Sequence, residues 1–245
     1  MLIDAHVHIG KSARLQIDCN GEMLVRVADQ LGIEHIFCTD LTALFYDMHE
    51  GNRLLYDEMR RFPDRIIGYA SLHSTRFGQA ALDELERCRH DYRMSGLKIY
   101  STPEATIAEP AMIPILEKCV ELDFVVLAHT TPHECEYLMA AVPECRFLMA
   151  HAGGQPFAKG DWNRAIMAAK RFPNLYLETA SSTIDTHFLE TAVAELGPER
   201  IIFGTDTPLL DPWVQLTKIR ETALDRRSRD LILGGNIARL IGLPA

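Results

Sequence analysis

FVVLAHTTPHECEYLMAAVPECRFLMAH, residues 124–151, contains the repeat on which the fold turns. The run FVVLAH is apolar up to a terminal His129, which predicts a buried strand over 124–129. Residues 133–141 carry apolar side chains at helical spacing, and RFLMAH predicts a second strand over 146–151, again ending in a histidine, His151. A strand, a helix and a strand joined by short connections make a parallel unit, because parallel neighbours need a crossover between them.

The same alternation runs through the chain in both directions. Further strands are expected at 1–8, 33–39, 66–72, 96–100, 175–180 and 201–205, and amphipathic helices at 21–31, 78–92, 110–122, 161–172 and 184–196. Phe62-Pro63-Asp64, Phe172-Pro173-Asn174 and Gly197-Pro198-Glu199 punctuate the passages from helix to strand. Eight strands at about thirty residues per unit predict an α/β fold of the (β/α)8 TIM-barrel type. An open doubly wound sheet is the rival, but no G-x-G-x-x-G turn follows any strand. No shift of composition divides residues 1–245, so one domain is expected. An additional C-terminal helix over Asp230–Leu243 should close the barrel, with Asn236 as a helix N-cap.

Composition narrows the function. The chain is 47% apolar and 24% charged, ordinary for a globular protein, with a formal charge of −9 and no basic block. A nucleic-acid partner is therefore not expected. Six cysteines lack any C-x-x-C pair, and Cys38 and Cys119 fall in apolar stretches, as buried free thiols do. Neither a signal peptide nor a membrane-length apolar segment is visible, so a cytoplasmic location and no membrane contact are expected.

In such a barrel the chemistry collects where the strands end. The first strand, DAHVHIG, brings His6 and His8 onto one face by its period of two, and Asp4 is read onto the same face. The fifth ends in His129, the sixth in His151, and the eighth in Asp206 of FGTDTP. Taken singly each has a plain structural explanation. H-x-H occurs by chance, a lone His129 reads as a satisfied core histidine, and Asp206 reads as a turn cap. Together at one rim, unpaired imidazoles and a carboxylate need partners. They form a ligand set for a divalent cation such as Zn²⁺, with Mn²⁺ as the alternative. Asp4 is expected to hold a histidine tautomer from behind. Lys98 interrupts an apolar strand, GLKIY. A carbamylated lysine bridging two metals and a snorkelling side chain are alternatives. The preferred reading is a buried ammonium that pairs with a ligating or substrate carboxylate. His73, ending the third strand, is a candidate pocket residue or a loop residue.

DAHVHIG, LAHT, MAHAGG, FGTDTP and GGNIARLIGL, in this order, resemble the amidohydrolase superfamily, and within it the amidohydrolase-2 group of metal-dependent hydrolases and aminocarboxymuconate-semialdehyde-type decarboxylases. The resemblance implies that His6, His8, His129 and Asp206 bind one divalent metal and that His151 is an acid/base beside it. The group often has G-x-K-L-H-P in its fourth strand. Here Lys98 is retained and Tyr100 stands where the histidine would be, a second candidate contact for substrate. The strand-one loop, Lys11 to Asn20, is short for a substrate lid.

Together these residues predict an enzyme that hydrolyses an amide, lactone or ester bond of a small polar molecule, with a metal-activated water and with Asp206 and His151 as proton carriers. The alternative is non-oxidative decarboxylation of an unsaturated or aromatic acid, for which Lys11, Arg14, Lys98 and Lys159 supply cations near the rim. A TatD-like nuclease shares the D-x-H-x-H start, but Lys98 replaces its strand-four glutamate and the charge disfavours DNA. Trp162, Trp213, Phe157 and Tyr46 are candidate pocket walls, and a homodimer is expected by analogy with related barrels.

Overall fold

The computed structural model describes residues 1–73, 77–102, 105–153, 162–181 and 187–244. One sheet contains β1 (Ile3–Ser12), β2 (Ile17–Cys19), β3 (His35–Asp40), β4 (Ile66–Ser71), β5 (Gly96–Tyr100), β6 (Val125–His129), β7 (Arg146–Met149), β8 (Leu175–Glu178) and β9 (Ile201–Ile202). Their order is β2-β1-β3-β4-β5-β6-β7-β8-β9, and every pairing is parallel except the β1–β2 hairpin. The sheet closes on itself beyond β9. Ala5 N–H donates to the Phe203 carbonyl at 3.1 Å, His8 N–H to Thr207 at 2.7 Å, and Asp206 N–H to His6 at 2.7 Å. The expected barrel of eight parallel strands is thus present, and the hairpin is an addition within the expected strand-one loop.

Around it lie α1 (Gly21–Leu31), α2 (Leu41–Phe45), α3 (Met48–Arg61), α4 (Gln79–His90), α5 (Ile113–Glu121), α6 (Pro132–Ala141), α7 (Trp162–Arg171), α8 (Phe188–Leu196), α9 (Pro212–Arg220), α10 (Arg226–Asp230) and α11 (Asn236–Ile241). The first shows the local logic. Asn20 caps it by accepting from Met23 N–H at 3.0 Å, Leu24, Ala28 and Leu31 share its buried face, and Gly32 ends it at φ 73°. The expected bounds of 21–31 are those observed. The short α2, α3 and α9 are not among the expected helices; α2 is capped by Asp40, which accepts from Thr42 and Ala43 N–H.

Two apolar layers arise from alternation along the strands. Val126, Ala128, Phe147, Met149, Leu175 and Leu177 face the helices. Phe37, Tyr69, Val125, Leu127, Leu148, Tyr176 and Ile202 fill the barrel, which Ile237 and Leu240 of α11 plug at the N-terminal ends of the strands. Arg146, first residue of β7, donates to Leu240 O at 2.6 Å and secures that plug.

Three expectations need correction. The C-terminal helix starts earlier than Asp230, as α10, and is broken by a π-type turn over Leu231–Gly235. Gly234 there lies against the backbone of Met1 and Ile3, where a Cβ would come within 2.5 Å of Met1 O, so close chain approach sets the turn. Asn236 is not a helix N-cap but the first residue of α11. Its buried amide donates to Pro198 O and Ile201 O, both at 2.8 Å, tying α11 to the start of β9. Asp4 does not share a face with His6 and His8. The β1–β3 register shifts between Asp4 and Val7, and Ile3 and Ala5 belong to the inner cluster whereas Val7 and Ile9 belong to the outer one. A one-residue irregularity reverses the faces of a strand.

The six cysteines are all free and buried, Cys38 and Cys119 as expected. No helix among the described residues is long and apolar enough to cross a membrane.

Candidate metal centre and active site

The side chains that the sequence singles out converge at the C-terminal end of the barrel. His6 and His8 come from β1, Lys98 and Tyr100 from β5, and His129 from the last position of β6. His151 and Asp206 lie past their strands rather than on them, since β7 ends at Met149 and β9 at Ile202. Both have left-handed backbone, His151 at φ 59° and Asp206 at φ 60°, with Ala152 at φ 47°. Non-glycine residues adopt that region at a cost, and such costs concentrate where a side chain must be aimed. The cavity is about 290 Å³ and is lined by His8, Lys98, Tyr100, His129, His151 and Asp206 on the polar side. Leu15, Leu41, Phe45, Leu209 and Leu210 form the apolar side.

Asp206 Oδ1 lies 2.9 Å from His8 Nε2 and 3.3 Å from His6 Nε2. Neither contact has hydrogen-bond alignment. Ligand atoms around a metal at ~2.0–2.2 Å are spaced roughly 3.0–3.4 Å apart, so the observed distances are those of a ligand shell. His6, His8 and Asp206 are a triad whose donor atoms all lie within 4.8 Å of each other.

The protonation states agree. Burial, reinforced by the charge of Lys98, holds His6 well below the usual imidazole range. Burial and His151 do the same to His129. Burial also lowers His151, against the pull of Asp206 and Glu178. Burial opposes ionisation of Asp206, but His6 and His8 overcome it and hold the carboxyl below the usual carboxylate range. Neutral imidazoles around an ionised carboxylate are the states in which these groups ligate.

Hydrogen bonds behind the rim assign the tautomers. His6 Nδ1 lies 3.0 Å from Glu178 Oε2, so its proton is on Nδ1 and its lone pair on Nε2. His151 Nδ1 donates to Ala180 O at 2.5 Å, leaving its Nε2 to accept from His129 Nδ1 at 3.2 Å, which puts the His129 lone pair on Nε2. His6 and His129 therefore both offer Nε2.

Sequence reasoning missed Glu178. It is wholly buried at the end of β8 and also accepts from His151 N–H at 3.0 Å and Ala180 N–H at 2.6 Å. The role expected of Asp4 is filled by this residue instead. Asp4 accepts from Thr205 Oγ1 at 2.5 Å, Thr205 N–H at 2.9 Å and His6 N–H at 3.1 Å, and from no imidazole among the described residues. Burial pushes its carboxyl up to about 7.

Lys98 is fully buried, and burial pushes its ammonium down to about 8 despite Asp206 and Glu178. Its Nζ lies 2.7 Å from His6 Nε2. Tyr100 packs its ring 4.2 Å from that of His129 and meets the edge of Phe45 at 5.6 Å. His73 lies two residues beyond β4 and is not among the residues lining the cavity. Among the other rim candidates, Lys11 pairs with Asp18 on the surface at 2.9 Å and Arg14 stands 5.5 Å over the Phe45 ring. Trp213 and Tyr46 are exposed, and Trp162 packs against Phe188. Phe157 and Lys159 lie outside the described residues.

Comparison with solved structures places the fold among known barrels. A dihydroxybenzoic acid decarboxylase from Polaromonas sp. JS666, with bound manganese and the inhibitor 2-nitroresorcinol, is 18% identical over 99% of this chain and 97% of its own, with a TM-score of 0.77. A putative amidohydrolase from Staphylococcus aureus is 16% identical over 99% of both chains, with a TM-score of 0.80. A probable 2-pyrone-4,6-dicarboxylic acid hydrolase from Acinetobacter baumannii, with citric acid bound, is 17% identical over 98% of this chain and 99% of its own, with a TM-score of 0.73. None of the curated proteins matches the sequence. The family model for amidohydrolases (Amidohydro_2) matches residues 3–243, and with that span the chain belongs to the amidohydrolase family.

Proposed function

We propose that this amidohydrolase is a metal-dependent hydrolase of an amide, lactone or ester bond in a small polar molecule. His6, His8, His129 and Asp206 would hold one divalent cation, Zn²⁺ or Mn²⁺. The observation that carries this reading is the approach of Asp206 Oδ1 to both His6 Nε2 and His8 Nε2 at ligand-shell spacing without hydrogen-bond alignment. When bound, such a cation polarises a carbonyl and lowers the pKa of water from about 15.7 toward ~7.

The remaining chemistry belongs to the chain. Asp206, ionised at neutral pH, accepts the proton of the attacking water. His151, fixed through Nδ1 by the Ala180 carbonyl, takes up a proton at Nε2 in exchange for the hydrogen bond from His129 and passes it to the leaving group. The Lys98 ammonium pairs with negative charge on the substrate. The wall of Leu15, Leu41, Phe45, Leu209 and Leu210 keeps water from the reacting bond. A cavity of about 290 Å³ is at the lower end of small-molecule sites, which suits a compact substrate.

A second reading uses the same residues for non-oxidative decarboxylation of an unsaturated or aromatic acid. The apolar wall facing a buried cation, Lys98, favours it. Purified protein is screened against esters, lactones, amides and unsaturated acids, with hydrolysis followed by acid release and decarboxylation by CO₂. Activity lost on chelation and restored by Zn²⁺ or Mn²⁺ is expected. Full activity in a His6→Ala/His8→Ala variant would sink both readings, and CO₂ release without hydrolysis selects the second.

A further inference from the structure

Glu134 is a buried carboxylate, 8% exposed, at the third position of α6, yet no cation contacts it among the described residues. Its oxygens are satisfied by neutral donors alone. Oε1 accepts from Ser101 Oγ at 2.5 Å and Thr106 Oγ1 at 2.6 Å. Oε2 accepts from Thr130 Oγ1 at 2.9 Å, Thr131 N–H at 3.0 Å and Thr131 Oγ1 at 3.2 Å. Burial opposes ionisation, but these hydrogen bonds win and hold the carboxyl below its ordinary value. A capping box needs only the contacts to Thr131. The bonds to Ser101, Thr106 and Thr130 go beyond what the helix requires.

The places of those donors give the excess a meaning. Ser101 comes directly after Tyr100 and Thr130 directly after His129, so the carboxylate grips the chain one residue beyond each of two cavity side chains. The β5–β6 register pairs Tyr100 with His129, and Ser101 N–H makes a further bond, to His129 O at 2.8 Å. Past that point β5 has ended and the other strand leads into α6. Glu134 bridges the two where the ladder stops, one residue beyond the packed, tilted rings of Tyr100 and His129.

We propose that Glu134 is a positioning residue. Its carboxylate clamps the ends of β5 and β6 together and so sets the packing of Tyr100 on His129 and the direction in which His129 Nε2 points. The consequence for metal binding rests on His129 being a ligand; the consequence for ring packing does not.

The test uses the full-length protein, metal-free and after Co²⁺ addition, as wild type, Glu134→Gln, Ser101→Ala and Leu138→Ala. Leu138→Ala removes buried volume from the same helix without touching the clamp. In the metal-free protein, the His129 ring resonances, assigned with His129→Gln, carry the ring-current shift of Tyr100. In Glu134→Gln they move at least halfway to their position in Tyr100→Leu, Ser101→Ala moves them the same way by less, and Leu138→Ala leaves them in place. Co²⁺ affinity then falls about tenfold in Glu134→Gln and is unchanged in Leu138→Ala. Unmoved His129 resonances in Glu134→Gln, or equal movement in Leu138→Ala, overturn the proposal. If Glu134→Gln does not fold, Ser101→Ala decides by the same resonances. A wild type that binds no Co²⁺ refutes the metal reading of the site and leaves the ring-packing result standing.

Discussion

Changing Glu178 to glutamine alters one atom and should cost the metal site most of its strength. Three N–H groups point at this carboxylate: His6 Nδ1 and His151 N at Oε2, and Ala180 N at Oε1. A carboxamide has one acceptor oxygen and one NH₂. If its oxygen takes the Oε2 place, the NH₂ confronts the Ala180 N–H. If its oxygen takes the Oε1 place, the NH₂ confronts the His151 N–H and forces His6 to accept at Nδ1. His6 then carries its proton on Nε2, the atom directed at Asp206, and cannot ligate. Removing such a partner from behind a ligand costs about 10–100-fold in metal affinity, or roughly 1.4–2.7 kcal/mol. The metal-free protein loses about 2 kcal/mol of stability as well, because a buried N–H faces no acceptor. Competition with a chromophoric chelator for Zn²⁺ measures the first loss and denaturant unfolding of the dialysed protein the second. ¹⁵N shifts of the histidine rings report whether the His6 proton has moved to Nε2. A Glu178→Gln protein with wild-type Zn²⁺ affinity and wild-type stability would refute the assignment of Glu178 as the group that orients His6.

The same site can be reached from the opposite side. A Cβ on Gly204 would lie 2.4 Å from Glu178 Oε1 and 2.7 Å from His6 Cβ, so Gly204→Ala should displace both. Overpacking of about 1–3 kcal/mol together with weaker Zn²⁺ binding is expected, and a neutral result on both measures rejects this contact as described. Gly51→Ala isolates packing from the site: the new Cβ would fall 2.1 Å from Ala43 N, so the α2–α3 contact must open at a similar cost, read from the denaturation midpoint. The thiols supply a pH prediction. Burial pushes Cys145 up to about 12, against a slight pull from Arg146, while an unfolded thiol ionises near 9. The folded state therefore holds its proton where the unfolded state releases it, and stability falls as pH rises past 9, by about 1.4 kcal/mol per unit for each such thiol. Unfolding free energies from pH 8.5 to 10.5 should show a shallower slope in Cys145→Ala than in the wild type, and identical slopes would contradict the burial of this group.

The barrel was legible because alternation of short apolar runs with helical stretches is a global pattern that survives local error. The helix over 21–31 was legible from its apolar spacing alone, and in the structure Asn20 and Gly32 fix its ends. Local geometry was not legible in the same way. Strand ends at Met149 and Ile202 come earlier than the apolar runs suggest, because His151 and Asp206 leave the ladder in left-handed turns, which apolarity does not report. Between β3 and β4, α2 is an apolar turn too short to show a period. The buried face of α3 consists of Met48, Gly51, Asn52 and Leu55, half of it not apolar, so Asp40 and Asp47 are the clearer marks of where the two helices start. The β1–β2 hairpin is too short to give a pattern at all, although it brings Leu15 to the cavity wall.

Asp4 and Glu178 show how a single irregularity exchanges roles. Strict period-two reading of DAHVHIG puts Asp4 beside the histidines, and the register shift after Asp4 turns it outward to hold Thr205. Applied to β8, the same rule works without interruption. Leu175 and Leu177 face the helices, so Tyr176 faces the barrel and Glu178 comes next on that face, at the rim. The signal for Glu178 was thus present in LYLETA as a carboxylate at an inward strand end, the position that His129 occupies on β6. An acidic residue there cannot be solvated by an apolar core, and burial without partners costs several kcal/mol. It must therefore meet donors, and at this rim the donors are an imidazole and two backbone N–H groups. The bulge in β1 is what removes Asp4 from competition for the His6 proton. Restoring regular pairing at that point would carry His6 and His8 to the outer face and dismantle the ligand set, so the irregular strand and the buried glutamate form one device.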